Sequence, residues 1–260
     1  MAYQYLLFRI EDRVAWITLN RPEKLNSLNK PLWKELQKAL QEAEATDDVS
    51  VIALTGKGRA FCAGDDISEL TRLQEPKDAE DLILNCIYGL VDCIFHLQKP
   101  LLSAVNGLAY GGGCELVMLT DIAVASENAR FAQPEARIGA WPPIFAVFGP
   151  PMVGIKATQE LLLTTEPISA QRALEIGLIN RVVAPDQLAG ATLEIAHTIM
   201  KSSPASLRLI KETVNQALGR HLYDFWIACQ RFGHEVVKTE DFLEGATAFT
   251  EKRTPFFRGR

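Results

Sequence analysis

Apolar and polar positions alternate from Tyr5 to Leu19 on either side of Glu11-Asp12-Arg13, which predicts a β-hairpin. The period then changes. After Lys30-Pro31, Leu32, Leu36, Ala39 and Leu40 recur at helical spacing with Trp33 on the flank, so a helix opens there. Val49 to Thr55 reads as a short apolar strand, and Ile83 to Leu97 as a helix that Lys99-Pro100 stops. Between them the charged stretch Ser68 to Glu80 has the composition of a mobile surface segment. Leu101 to Val105 and Asp121 to Ser126 are further strands, and Glu115 to Leu119 starts a buried helix. Strand signals fade from about Ser169, apart from Leu178 to Val183. Helical patterns replace them at Ala170 to Ile176, Gln187 to Lys201, Ala205 to Gly219 and Tyr223 to Thr239. The pattern predicts a repeated strand–turn–helix unit over residues 1–168 and a mainly helical part over 169–260.

Two turns in the first part carry chemistry. In one, the strand ending at Val105 runs through Asn106-Gly107 into Gly111-Gly112-Gly113-Cys114-Glu115. Three glycines leave the backbone bare, so a ligand atom can reach an amide N–H, and the start of a helix presents unpaired donors there. Such a place can stabilise an oxyanion. Glu115 follows at once, and a second glutamate stands in Phe131-Ala132-Gln133-Pro134-Glu135; two carboxylates together can handle both protons of a water molecule. Taken singly, a glycine triplet is a packing spot, and Glu115 a first-turn residue that complements the helix dipole. The second turn, Phe61-Cys62-Ala63-Gly64-Asp65-Asp66-Ile67, has the same strand-into-helix form, and the joint pattern favours a site.

Other chemistries lack their residues. Gly56-Lys57-Gly58-Arg59-Ala60-Phe61 misses the third glycine of a dinucleotide fingerprint, and no Lys-Ser/Thr follows Gly113 for a P-loop. His234-Glu235-Val236-Val237-Lys238 has lysine where a zincin helix needs its second histidine, and His96, His197, His221 and His234 are too scattered for a metal site. Cys62 and Cys114 flank the glycine turns as small buried residues. The five cysteines show no CxxC and read as thiols of a reducing cytoplasm. A net charge of −5 offers no general attraction to nucleic acid, and no apolar run is long enough to span a membrane. The start Met1 to Ile10 lacks the basic and small-residue marks of a targeting segment.

The segments Asn20-Arg21-Pro22…Asn26-Ser27-Leu28, Phe61 to Ile67, Asn106 to Glu115 and Phe131 to Glu135, with the tail Glu244 to Arg253, resemble the crotonase (enoyl-CoA hydratase/isomerase) superfamily in order and spacing. The resemblance implies an α/β fold, a right-handed spiral of ββα units with a C-terminal helical trimerisation subdomain, assembled as homotrimers or hexamers. It implies hydration of 2-enoyl-CoA thioesters, with an isomerase or another acyl-CoA reaction of the family as the alternative and a non-catalytic RNA-binding member disfavoured. By resemblance the oxyanion donors are the amides of Asp65 and Gly112, and Glu115 and Glu135 match the two catalytic glutamates. The CoA ester is expected against Lys24, Leu25, Ala63, Asp65, Asp66, Ile67, Gly111 and Gly112, with Phe249 and Lys252 reaching a neighbouring subunit's site. No cofactor beyond the CoA thioester, which is the substrate, and no metal is implied.

Two departures stand out. Asp65 occupies a position where relatives commonly carry a small or apolar residue. A carboxylate about 6 Å from an enolate, at an effective dielectric of ~20, repels it by about 3 kcal/mol. Its side chain is therefore expected to point away or be paired. The second is Ala140-Trp141-Pro142-Pro143-Ile144-Phe145-Ala146-Val147-Phe148, bulky and proline-stiffened where the family has a glycine-rich turn. Trp141, Phe145 and Phe148 are either plain core or the wall of an acyl pocket.

Overall fold

The hairpin forms as strands β1 (Leu6–Glu11) and β2 (Val14–Leu19), joined by Asp12 and Arg13 at φ 49° and 63°, the left-handed pair that a tight two-residue turn requires. The computed structural model describes residues 3–70, 81–231 and 235–259. From β2 onward the chain coils. Strands β3 (Val51–Gly56), β5 (Leu101–Val105), β7 (Ile122–Ser126) and β10 (Arg181–Val183) extend β2 in parallel, giving a six-stranded sheet in the order β1-β2-β3-β5-β7-β10.

After each of β3, β5 and β7 the chain adds a short strand to a second sheet. Strands β4 (Ala60–Cys62), β6 (Leu108–Tyr110) and β8 (Arg130–Ala132) are parallel neighbours there, with β9 (Ile168–Ser169) antiparallel at the edge. Two strands and a helical segment per turn is the ββα repeat that the family resemblance implies, where the pattern alone predicts a strand–turn–helix unit.

Alternate residues of the large sheet face two cores. Ala15, Ile17, Leu19, Ile52, Leu54, Leu101 and Val105 join the main core, with Leu32, Trp33, Leu36 and Leu40 of helix α1 (Lys30–Ala45). Val14, Trp16, Val51, Ala53, Leu102, Ala104 and Val124 face the other way. The next helices are α2 (Gly89–His96), preceded by Asp81–Tyr88 wound in the wider π form, and α3 (Gly112–Met118). Then come α4 (Pro143–Val153), α5 (Ile155–Thr164), α6 (Ala170–Glu175) and α7 (Leu188–Ile199), the last covering the second core with Leu188, Ile195 and Ala196.

Two expected helix limits shift. Ala205 to Gly219 and Tyr223 to Thr239 were expected as separate helices. One helix, α8 (Pro204–Arg231), passes straight through Gly219, and Thr239 instead caps α9 (Glu240–Glu251) by accepting the Phe242 N–H at 3.1 Å. A mid-helix glycine costs about 1 kcal/mol, which the burial of Phe225 and Cys229 beyond it offsets. In the charged stretch Ser68 to Glu80, residues 71–80 lie outside the described residues. Among those described, no helix is long and apolar enough to cross a membrane.

A β-carbon added at Gly219 meets nothing within 4 Å. Gly219→Ala is thus expected to raise stability by about 0.5–1 kcal/mol, or roughly 2 °C in thermal midpoint. Calorimetry showing no gain or a loss would mean that α8 is interrupted there.

Candidate active site

Strand β4 delivers the first turn. Ala63 N–H donates to the Leu25 carbonyl (3.0 Å), Leu28 N–H to Gly64 (2.8 Å) and Asp66 N–H to Leu28 (2.9 Å). These bonds stitch residues 63–66 to residues 25–28 and pass over the Asp65 N–H, which has no protein partner among the described residues. They also commit the Ala63 and Asp66 amides to the protein. Leu25 takes the left-handed φ of 51° after the turn Pro22–Lys24, whose Lys24 is exposed. The Asn20-Arg21-Pro22…Asn26 motif is a brace. Asn26 accepts the Arg21 N–H at 2.9 Å, its amide donates to the Lys57 and Ala60 carbonyls, and Arg21 pairs with the Asp66 carboxylate at 2.9 Å.

Strand β6 delivers the second turn. Gly111, at φ 51° and ψ −128°, donates to the Ala132 carbonyl at 2.9 Å, and Gly112 opens α3 with its N–H unpaired. A β-carbon built at Gly64 would lie 3.5 Å from the Gly112 nitrogen, so the two turns pack against each other. The two amides named from the sequence come from adjacent loops.

Glu115 sits one turn into α3, 5% exposed, and its Oε1 accepts the Phe145 N–H at 2.9 Å. Strand β8 delivers Glu135 at the start of the tight turn Glu135–Ile138. Its Oε1 lies so close to Gly111 that a β-carbon there would come within 2.5 Å. With the buried Gln133 amide nitrogen facing the carboxylate, it donates to both Glu135 oxygens, at 3.3 and 3.2 Å. Burial pushes the Glu115 carboxyl up, against the Phe145 N–H, and Asp65 adds to the rise. Burial also raises Glu135 well above the usual carboxylate range, with the Glu115 charge next. Carboxyls that raise one another resist ionising together, and such a pair tends to hold one proton between its two members.

Asp65 is paired, because its Oδ1 accepts the Trp33 Nε1–H at 2.9 Å, yet it does not point away. A β-carbon on Gly112 would lie 3.6 Å from its Oδ2, and Asp65 lines the same cavity as Glu115 and Glu135. Burial pushes its carboxyl up to about 6 in spite of the Trp33 donor. The expected flank position of Trp33 is corrected accordingly: it is fully buried, with its indole edge on the site.

The cavity measures about 80 Å³, with Ile67, Leu82, Ile83, Ile87, Ile138 and Trp141 as its apolar wall. Trp141 takes the wall position. Phe145 and Phe148 are buried in the core, Phe148 against Phe95 and Phe225 at 5.1 and 5.7 Å between ring centres, and Phe145 serves the site through its N–H alone. That N–H, Gln133 and the Trp33 indole were missed in the sequence, where nothing but proximity in space marks them. The Cys62 thiol is pushed up to about 12 by burial, and that of Cys114 still higher, so neither is a ready nucleophile. Among the described residues no group of side chains could hold a metal ion. His96, His197 and His221 are absent from the cavity wall, and His234 lies outside the described residues. Phe249 is exposed near the end of α9, and Lys252 caps it at φ 55°.

The family model described as enoyl-CoA hydratase/isomerase matches residues 9–260. The chain belongs to that family. It is 37% identical to a short-chain-enoyl-CoA hydratase of Clostridium acetobutylicum over 97% of both chains. It is 38% identical to a probable enoyl-CoA hydratase of Rhizobium meliloti over 100% of both. Among solved structures, carnitinyl-CoA hydratase from Mycobacterium avium superposes with a TM-score of 0.87 at 33% identity over 100% of both chains. The crotonase-type spiral of ββα units read from the motifs is thus the fold of this chain.

Raised carboxyls bind their protons more tightly in the folded protein than in the unfolded chain. Their contribution is fully present below the unfolded value and is lost as pH rises through the folded one. Glu115→Gln removes one such group and keeps an acceptor for Phe145. Relative to wild type it is expected to gain about 1 kcal/mol or more between about pH 5 and pH 9. Urea unfolding at the two pH values checks this; an equal difference at both would contradict the buried pair.

Proposed function

We propose that the protein adds water to 2-enoyl-CoA thioesters to give 3-hydroxyacyl-CoA. One observation carries the reading: buried Glu115 and half-buried Glu135 line one cavity beside the facing turns whose Asp65 and Gly112 N–H groups have no protein partner among the described residues. The thioester oxygen sits between the Asp65 and Gly112 amides, where charge builds up as the conjugated double bond is attacked; one such donor is worth about 2.7–4 kcal/mol. Glu115, whose carboxylate the Phe145 N–H favours in its ionised form, takes a proton from water as the water oxygen bonds to Cβ. The π electrons move onto the thioester oxygen. Glu135, whose carboxyl is raised by burial and by the Glu115 charge, gives its proton to Cα as the enolate collapses. One proton is taken and one returned, so no metal or redox cofactor enters.

The small apolar cavity supports a short, unbranched acyl group. The proposed CoA path runs over Ala63, Ile67 and Gly111 of the cavity wall and on to Asp66, Leu25 and the exposed Lys24, Leu25 being joined to Ala63 by a backbone hydrogen bond. Exposed Leu209, Ile210 and Val214 on α8 support assembly into trimers or paired trimers, and a cytoplasmic setting suits the free thiols.

Loss of crotonyl-CoA absorbance on adding the enzyme is the direct test. Glu115→Gln and Glu135→Gln are each expected to lower turnover by about 10²–10⁴-fold with little change in thioester binding. Near-normal hydration in either variant would refute the two-carboxylate mechanism, and 3-enoyl isomerisation surviving in Glu115→Gln would assign an isomerase working through Glu135. Crotonyl-CoA is expected to exceed 2-decenoyl-CoA in kcat/KM by about tenfold or more. Light scattering is expected to show a multiple of 28.8 kDa, and a monomer at micromolar concentration would count against the assembly.

A further inference from the structure

The mechanism uses the backbone of Asp65 and leaves its side chain without a task, though that side chain is fixed at the reacting centre. Its Oδ1 is held by the Trp33 indole, itself locked in the core, and its Oδ2 lies beside Gly112. The cavity wall therefore carries three carboxylates and, among the described residues, no lysine, arginine or histidine. The Arg21 guanidinium, behind the Asp65 turn, is committed to Asp66. Glu69, on the turn after Asp66, accepts the Lys30 backbone N–H and adds further negative charge. From α3 comes Glu115, from the segment after β8 come Glu135 and the neutral Gln133 beside it, and Leu82, Ile83 and Ile87 bring only apolar side chains to the wall. The neighbouring thiols of Cys62, Cys114 and Cys229 stay protonated.

We infer that Asp65 is a positioning residue for the proton shared by Glu115 and Glu135: its carboxylate, clamped by Trp33 beside the amide pair, keeps that proton on the two glutamates to higher pH than they would hold it alone. The inference rests on the hydratase reading for its kinetic consequence, since hydration needs one glutamate protonated and the other ionised. When Asp65 is ionised, the burial that lifts its carboxyl also brings its charge to bear on the pair. Losing the last shared proton then means a third negative charge in one small cavity. The repulsion of the enolate that Asp65 causes is the cost of this wider alkaline range, and the Trp33 N–H, by drawing charge toward Oδ1, lessens it.

The test is the pH profile of kcat/KM for crotonyl-CoA in wild type, Asp65→Asn and Trp33→Phe. Asparagine keeps the shape and can still accept from Trp33, so the fold is retained. Its alkaline limb is expected to move down by roughly one to two pH units with KM changed less than about threefold. Trp33→Phe, which frees the carboxylate to turn away, is expected to move the limb in the same direction by less. A limb in Asp65→Asn within about 0.3 unit of wild type overturns the inference. A substrate-free readout separates this from failure of the hydratase reading. Carboxyl ¹³C titration of the glutamates, assigned through Glu115→Gln and Glu135→Gln, is expected to show both releasing protons at lower pH in Asp65→Asn. Unchanged titration sinks the inference whatever the reaction, while shifted titration in an enzyme inert toward crotonyl-CoA sinks only the reaction. Asp65→Ala, read the same way, replaces Asp65→Asn if the asparagine variant is poorly folded.

Discussion

Three parallel strands of three residues each, β4, β6 and β8, set the geometry on which the site depends. They are hydrogen-bonded neighbours in one sheet, with Cys62 beside Ala109 and Tyr110 beside Ala132. Their carboxyl ends therefore lie side by side. Within three residues of those ends the chain places Asp65, Gly112 and Glu135, and Glu115 follows one turn into α3. Sites at the carboxyl ends of parallel strands are a general outcome of such sheets. Strands this short would not pair alone. They do so because β3, β5 and β7 of the large sheet precede each of them and are buried on both faces, so their spacing is already fixed.

This frame has to hold groups that repel. Burying carboxyls without cationic partners opposes folding at neutral pH, and the cavity collects three of them. What reduces the cost is hydrogen bonding from fixed donors: Phe145 N–H to Glu115, Gln133 to Glu135 and Trp33 to Asp65. None of the three donors carries a charge. A lysine or arginine in their place would hold the carboxylates firmly ionised and abolish the shared proton, so neutral donors are what this chemistry requires. The same requirement fits the placing of Arg21, which is occupied by Asp66 and the Ser27 backbone carbonyl and does not line the cavity.

The sequence showed the donors of backbone and the acids but not their supports. Period alone located the hairpin, α1 and the strands β3, β5 and β7, because their apolar residues face a core on a regular spacing. The glycine run and the two glutamates stood out because their residue types are unusual where they occur. Trp33 had the opposite problem: an aromatic residue at helical spacing looks like packing, and only the approach of residues 63–66 to α1 turns its indole edge into a donor. Phe145 looked like core and is core, while its N–H does the work at the site. The helix break expected at Gly219 failed for a related reason, since local preference was read where burial further along the helix decides.

Distance along the chain is no guide to distance from the chemistry at the C-terminal end either. Helix α9 packs directly on the turn that carries Glu135: a β-carbon at Gly245 would meet the Ile138 backbone at 2.3 Å, and one at Gly139 would meet the Asp241 carbonyl at the same distance. Backbone touches backbone at both points, so neither element can move without the other. The Arg253 guanidinium ties Glu244 of α9 to the chain end, and Asp241 accepts N–H groups from Arg258 and Gly259 at 2.6 and 2.8 Å. Asp241 to Gly259 thus form a closed brace behind one of the two acids. A region that reads as an assembly element is at the same time part of what fixes Glu135 in place.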